Sequence, residues 1–206
     1  PLCPTYVLGN HDKARRISAP GKNTVAKYKL LTALQFTARG VPFTYYGEEI
    51  GMKQAELPFK DALDPLAHRF KPWQAQPAKC FGYSFNRDEC RTPMQWDQTA
   101  HAGFTKPDAK PWLPVNTDFL EVNVEKEISD STSLLNHYKK LLLIRKQHPA
   151  LNSGSLSFSG LEKINSRKVL AYYRNKESES LLVIMNCSKK PTKIKMDISG
   201  FSVLMG

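Results

Sequence analysis

The sequence predicts an α/β unit with parallel strands followed by an all-β antiparallel unit, an α/β plus all-β chain. Three observations carry this reading. Residues 5–47 run in the order strand, helix, strand, with apolar strands of the kind that helices cover on both faces. Residues 134–147 repeat apolar side chains at helical spacing. After Ala150 the pattern changes to short segments rich in Val, Ile, Tyr and Leu, separated by turn-like polar residues.

Taken in order, TYVLG at 5–9 reads as the last part of a short buried strand, opening into a loop from Asn10 to Asn23. From Thr24 to Arg39, Val25, Tyr28, Leu31, Leu34 and Ala38 recur at helix spacing, with Leu30, Ala33 and Phe36 widening the apolar face, and Gly40 supplies the stop. VPFTYYG at 41–47 is a second buried strand. Glu48 to about Ser133 is rich in Pro, Trp, Asp and Asn, and a connection this long inside a compact domain is usually functional. Leu134, Leu135, Tyr138, Leu141, Leu142 and Ile144 then mark an amphipathic helix that ends near Gln147 ahead of Pro149, with Ser133 or Thr132 as its cap. Segments 155–160, 168–174, 180–186 and 192–198 are expected to form four strands of an antiparallel sheet or sandwich. The boundary falls at PALNS, dividing the chain into 1–149 and 150–206. Both ends read as cut: a parallel pair needs neighbours, and the β unit stops after few strands.

Composition narrows the function classes. A hydrophobic content of 41% and an aromatic content of 10% belong to a globular protein rather than a disordered tail. No run of 18 apolar residues exists to span a bilayer, and PLCPTYVLGNHD is no signal peptide. The net charge of +11 invites a nucleic-acid or membrane reading. Its basic residues are scattered, in small groups at Lys139-Lys140, Arg145-Lys146 and Lys189-Lys190, which reads as solvated surface with no nucleic-acid and no membrane partner. Cys3, Cys80, Cys90 and Cys187 show neither CxxC spacing nor nearby histidines at ligand spacing, so no metal site is expected; scattered thiols favour a reducing, cytoplasmic compartment.

Three segments carry chemistry. Gly9-Asn10-His11-Asp12 ends a strand, where polar side chains of an α/β barrel converge on substrate; the plainer alternative is an Asx-turn with a surface His. Tyr45-Tyr46-Gly47-Glu48-Glu49-Ile50-Gly51-Met52 pairs two acids beside glycines, suited to binding a metal or to acid–base work or, as the plainer alternative, to holding the loop through backbone amides. Asn86-Arg87-Asp88-Glu89-Cys90-Arg91-Thr92-Pro93-Met94-Gln95-Trp96-Asp97 places arginines where they can pair with carboxylates or grip sugar hydroxyls. Tryptophans can offer an apolar platform to a pyranose face, but the plainer reading of Trp96 is a buried loop anchor.

In combination and order, VLGNHDKAR, GVPFTYYGEEIGM, RDECRTPMQWD with AGFT and PWLPVN, and SLLNHYKKLLLIRKQHPAL resemble glycoside hydrolase family 13, in its oligo-1,6-glucosidase and maltase-like α-glucosidase branch. The resemblance covers nearly all of residues 5–160. It implies the C-terminal part of a (β/α)8 TIM barrel, with 5–9 and 41–47 as the seventh and eighth strands and 134–147 as the last helix, followed by a β-sandwich. It implies retaining hydrolysis of α-glucoside oligosaccharides. Asp12 would be the transition-state stabiliser, with His11, Asn10, Arg87 and Arg91 as substrate-binding residues and Arg15 as a loop anchor. The family's nucleophile Asp and acid/base Glu have no counterpart in this sequence, so the chain alone is expected to be inactive. No cofactor is implied here, and a structural calcium ion would belong to earlier loops. Competing readings are a non-catalytic transporter-accessory ectodomain, a trehalose-6-phosphate hydrolase, and a glucosyl-transferring or sucrose-isomerising relative.

Overall fold

A computed structural model describes residues 3–18, 25–71, 73, 74, 77 and 83–206. Thr24, the expected start of the first helix, and Cys80 lie outside the described residues. The chain divides into two compact units: Pro1–Tyr6, Leu30–Pro42 and Lys140–Gly206 form one, Val7–Lys29 and Phe43–Lys139 the other. No helix among the described residues is long and apolar enough to cross a membrane.

The predicted strand–helix–strand order is present as β1 (Thr5–Val7), α1 (Val25–Thr37) and β2 (Val41–Phe43). β1 and β2 are neighbours in a two-stranded sheet, and Val41 N–H donates to the Pro4 carbonyl at 2.9 Å. The expected burial of these strands is corrected: Val7, Val41 and Phe43 are half-exposed, because each strand has only the other as a ladder partner among the described residues. α1 buries Tyr28 and Phe36, but also Thr32 and Gln35, while Val25 at its start is exposed. Gly40 does more than stop the helix. A Cβ there would collide with the Tyr6 ring and the Pro4 carbonyl, so its lack of a side chain is what lets the chain re-enter beside β1.

Two arginines meet the C-terminal end of α1. Arg145 donates to Phe36 O at 2.6 Å and to Gly40 O at 2.7 Å. Arg174, fully buried, donates to Thr37 O at 2.6 Å, Gly154 O at 3.0 Å and Ser155 O at 3.3 Å. Cations here satisfy helix-end carbonyls and oppose the negative pole of the helix. Burial pulls both guanidinium pKa values down, yet an arginine keeps its charge where a lysine would lose it.

Residues 48–133 are not a structureless loop. Their described residues include short 3-10 turns and the helix α2 (Val124–Ser129), whose N-cap Asn123 accepts from Lys126 N–H at 2.9 Å. Ile50, Met52 and Met94 form a buried cluster against Val122, Val124 and Leu135. The neighbouring Gln95 is fully buried and donates to Asp118 and Val122. Trp96 is 48% exposed, correcting its expected burial; the backbone at this position does the anchoring, with Trp96 N–H on Ala102 O at 2.9 Å and Glu125 N–H on Trp96 O at 3.0 Å.

α3 (Leu134–Gln147) has the predicted limits, and of the two candidate caps Ser133 serves: its hydroxyl accepts Asn136 N–H at 3.1 Å. α4 (Pro149–Ser153) follows, then β3 (Ser155–Ser157), β4 (Val169–Lys176) and β5 (Glu179–Asn186), in the antiparallel order β3-β4-β5. The β4–β5 hairpin turns through Glu177 in the left-handed region. The expected fourth strand at 192–198 does not pair. Pro191 lacks an N–H to enter a ladder, Asn186 and Ser188 close a local turn at 3.0 Å, and Ile194 and Ile198 stay exposed. The antiparallel part among the described residues is one three-stranded sheet.

Replacing Arg174 by Met leaves the carbonyls of Thr37, Gly154 and Ser155 without their shared donor, and is expected to cost about 2–3 kcal/mol. The check is the urea unfolding midpoint, which should fall; an unchanged midpoint would remove Arg174 as the tie at the α1 terminus.

Candidate functional site

The end of β1 is set by backbone approach. At Gly9 a Cβ would lie 2.6 Å from Glu48 Oε1, so the strand end rests directly on that carboxyl. Glu48 is buried and its Oε2 accepts Tyr45 N–H at 3.0 Å, in keeping with the loop-holding reading of this acid. Gly47 turns the chain in the left-handed region at φ 81°, where a side chain would also strike Met52. Beneath this turn Arg15 is buried. It donates from Nη1 to Tyr46 O at 2.8 Å and lies over the rings of Tyr45 and Tyr46, 5.1 and 5.0 Å from their centroids, so it anchors the loop as expected. Burial pushes the Glu48 carboxyl up to about 7, partly opposed by Tyr45 N–H, Arg15 and Tyr28.

Beyond Gly9 the chain makes an Asx-turn: Asn10 Oδ1 accepts Asp12 N–H at 2.9 Å. The Asn10 side chain is thereby committed to holding Asp12 in place. The Asp12 carboxylate is 44% exposed and has two guanidinium groups on one of its oxygens. Its Oδ1 accepts from Arg87 Nη1 at 2.8 Å and Arg91 Nη2 at 3.1 Å, and its Oδ2 lies 3.3 Å from His11 Nε2. Arg91 Nε also donates to His11 O at 2.8 Å, tying the loop backbone to the second arginine. His11, Asp12, Arg87 and Arg91, four of the five residues singled out from sequence, thus form one cluster, and Asn10 shapes the turn that presents it.

Sequence reasoning missed Asp64. Its carboxylate is 1% exposed and grips the far edge of Arg87, with Oδ1 accepting Nη2 at 2.8 Å and Oδ2 accepting Nε. Arg91 Nη1 lies 3.5 Å from the same Oδ2. These contacts, Arg87 foremost, hold the Asp64 pKa down to about 2. Asp88, also buried, accepts Leu63 N–H at 2.6 Å and Asp64 N–H at 3.0 Å and so fixes the backbone that carries Asp64. The one available signal was charge: two arginines in a folded loop call for carboxylates near them. Nothing local in ALDP marks this Asp as the partner.

Cys90 is buried between the loops, its thiol facing Arg87 O at 3.0 Å and His11 O at 3.4 Å. Burial pushes it up to about 11, so it is a neutral packing group rather than a nucleophile. Among the described residues no group of His, Cys, Asp or Glu has an arrangement suited to a metal ion. What the cluster offers is a half-open carboxylate paired with two guanidinium groups, able to face positive charge or accept from hydroxyls.

The family model for the alpha amylase catalytic domain matches residues 2–154. The chain is 37% identical over 187 residues to an oligo-1,6-glucosidase of Halalkalibacterium halodurans, spanning 86% of this chain and 32% of that protein. It is 33% identical over 187 residues to a trehalose-6-phosphate hydrolase of Bacillus subtilis, with the same two coverages. Its fold is similar to the crystal structure of the trehalulose synthase MutB from Pseudomonas mesoacidophila, with a TM-score of 0.73 at 33% identity over 91% of this chain and 35% of that one. The chain thus spans about a third of the length of the relatives it matches.

Glu48 gives a pH test of the platform under Asp12. Its folded pKa lies above the ordinary 4.5, so between 4.5 and about 7 the folded state holds a proton that the unfolded chain has released. Its contribution to stability therefore falls as pH rises through that window and is level above it. Glu48→Gln is expected to flatten the profile of thermal midpoint against pH there; profiles of equal slope would show that Glu48 does not titrate in the fold.

Proposed function

Because this chain belongs to the alpha-amylase catalytic-domain family, we propose that it is the C-terminal portion of a retaining α-glucosidase acting on terminal α-glucosidic bonds of short oligosaccharides. The observation that carries this reading is the Asp12 carboxylate at the end of β1, half open to solvent and held by Arg87 and Arg91. β1 and β2 take the places of the seventh and eighth strands of a (β/α)8 barrel, α3 that of its last helix, and 150–206 the start of a C-terminal β-sandwich. The free thiols of Cys3, Cys90 and Cys187 support a cytoplasmic setting.

Retaining glycosidases pass through a transition state with oxocarbenium character, in which positive charge grows on the sugar ring. Asp12 meets that charge as a preoriented anion: its Asx-turn and two guanidinium partners fix its direction before the sugar arrives, so little reorganisation is needed as the barrier is crossed. His11, exposed beside it, donates to a sugar hydroxyl. Arg87 and Arg91 retain donor capacity for the terminal glucose, and the long segment after β2 narrows the approach to chain ends. The attacking carboxylate and the general acid/base are supplied by residues outside this sequence, so these 206 residues by themselves do not turn over substrate.

In the intact protein, Asp12→Asn is expected to lower kcat by about 10²–10³-fold, the scale of a lost charge-stabilising group. Arg87→Gln should raise KM and, because Arg87 helps to fix the direction of Asp12, also lower kcat by about 100-fold. The substrates to assay are maltose, isomaltose, trehalose 6-phosphate and sucrose. Wild-type kcat in Asp12→Asn would remove that residue from the chemistry. No turnover of any of the four by the intact protein would favour a non-catalytic binding module.

A further inference from the structure

Arg87 is shared. One edge of its guanidinium, Nε and Nη2, makes the two parallel bonds of a fork-on-fork pair with Asp64, while the remaining nitrogen, Nη1, reaches Asp12. Such a pair fixes the plane of the guanidinium as well as its position. Asp64 cannot meet a sugar itself, since its side chain is 1% exposed. It is also fixed in its own right: Asp88 holds the N–H groups of Leu63 and Asp64, and Asp64 Oδ1 accepts Leu66 N–H at 3.0 Å. An unbroken set of contacts therefore runs from a buried loop anchor, through Asp64 and Arg87, to the half-exposed carboxylate.

We propose that Asp64 is a positioning residue for Asp12, setting the plane of Arg87, with Arg91 as a second contact, and through it the direction of the Asp12 carboxylate. This rests on the role proposed above for Asp12. Without Asp64, Arg87 keeps its charge but loses the fork that orients it, and the guanidinium is free to rotate about its long side chain. Asp12 is left with its Asx-turn and Arg91. That restrains the backbone more than the carboxylate.

The test uses the intact protein. In a crystal structure of the Asp64→Asn variant, Arg87 Nη1 is expected to leave hydrogen-bond range of Asp12, and kcat on the best α-glucoside to fall about 100-fold, as a displacement of about 1 Å in a catalytic group does, with KM less affected. The loss should not add to that of Arg87→Gln: the double variant should be no worse than Arg87→Gln alone. Asp64→Glu, which keeps the charge but moves it by one methylene, should recover stability without recovering kcat, and it carries the same test if Asp64→Asn folds poorly. An unmoved Arg87, or losses that multiply in the double variant, would overturn the proposal. An intact protein inactive on every α-glucoside would instead sink the functional reading, and the direction of Arg87 in the variant crystal would still decide the role of Asp64.

Discussion

Arg87 stands between two carboxylates of opposite circumstance. Asp64 is out of solvent and saturated by the guanidinium fork and by Leu66 N–H, so its charge is spent on geometry. Asp12 is nearly half exposed and takes one nitrogen each from Arg87 and Arg91, so part of its capacity remains open. A single cation could not keep both anions in place in water, where such pairs are worth little. Burial of one partner changes this, because the Asp64 carboxylate has no water to return to if Arg87 leaves.

The cluster stands on a second, largely apolar platform. Glu48 touches the strand end at Gly9, Arg15 lies under the tyrosine pair, and Gly47 makes the turn that lets the segment after β2 fold back. The Ile50, Met52 and Met94 cluster then packs against Val122, Val124 and Leu135. This is how the described residues of a stretch so rich in proline and polar residues are held: their 3-10 turns close locally and a few apolar side chains tie them to α2 and α3. Glu48 carries the cost of that burial in its raised pKa.

In the other compact unit the comparable role falls to Arg145 and Arg174, which gather the carbonyls at the end of α1. The arginine on β4 is fully buried and directly follows the run Val169-Leu170-Ala171-Tyr172-Tyr173. A helix that must return the chain to a neighbouring strand within a few residues has no room for a longer capping loop, and distant donors take its place.

Periodicity and terminus chemistry are local, and the sequence by itself determined what depends on them: α1, the limits of α3 with its cap narrowed to Ser133 or Thr132, the strand–helix–strand order, and the antiparallel hairpin of β4 and β5. The motif order also marked His11, Asp12, Arg87 and Arg91. The tertiary structure alone decided strand burial, the missing pairing at 192–198, the exposure of Trp96, and the partnership of Asp64. Each of these depends on which groups meet across the chain. Asp12 and Arg87 are 75 residues apart, Arg87 and Asp64 are 23 apart, and both pairs approach through irregular segments with no repeat to set their register. A carboxylate in such a segment acquires its partner only when the turns on either side have closed.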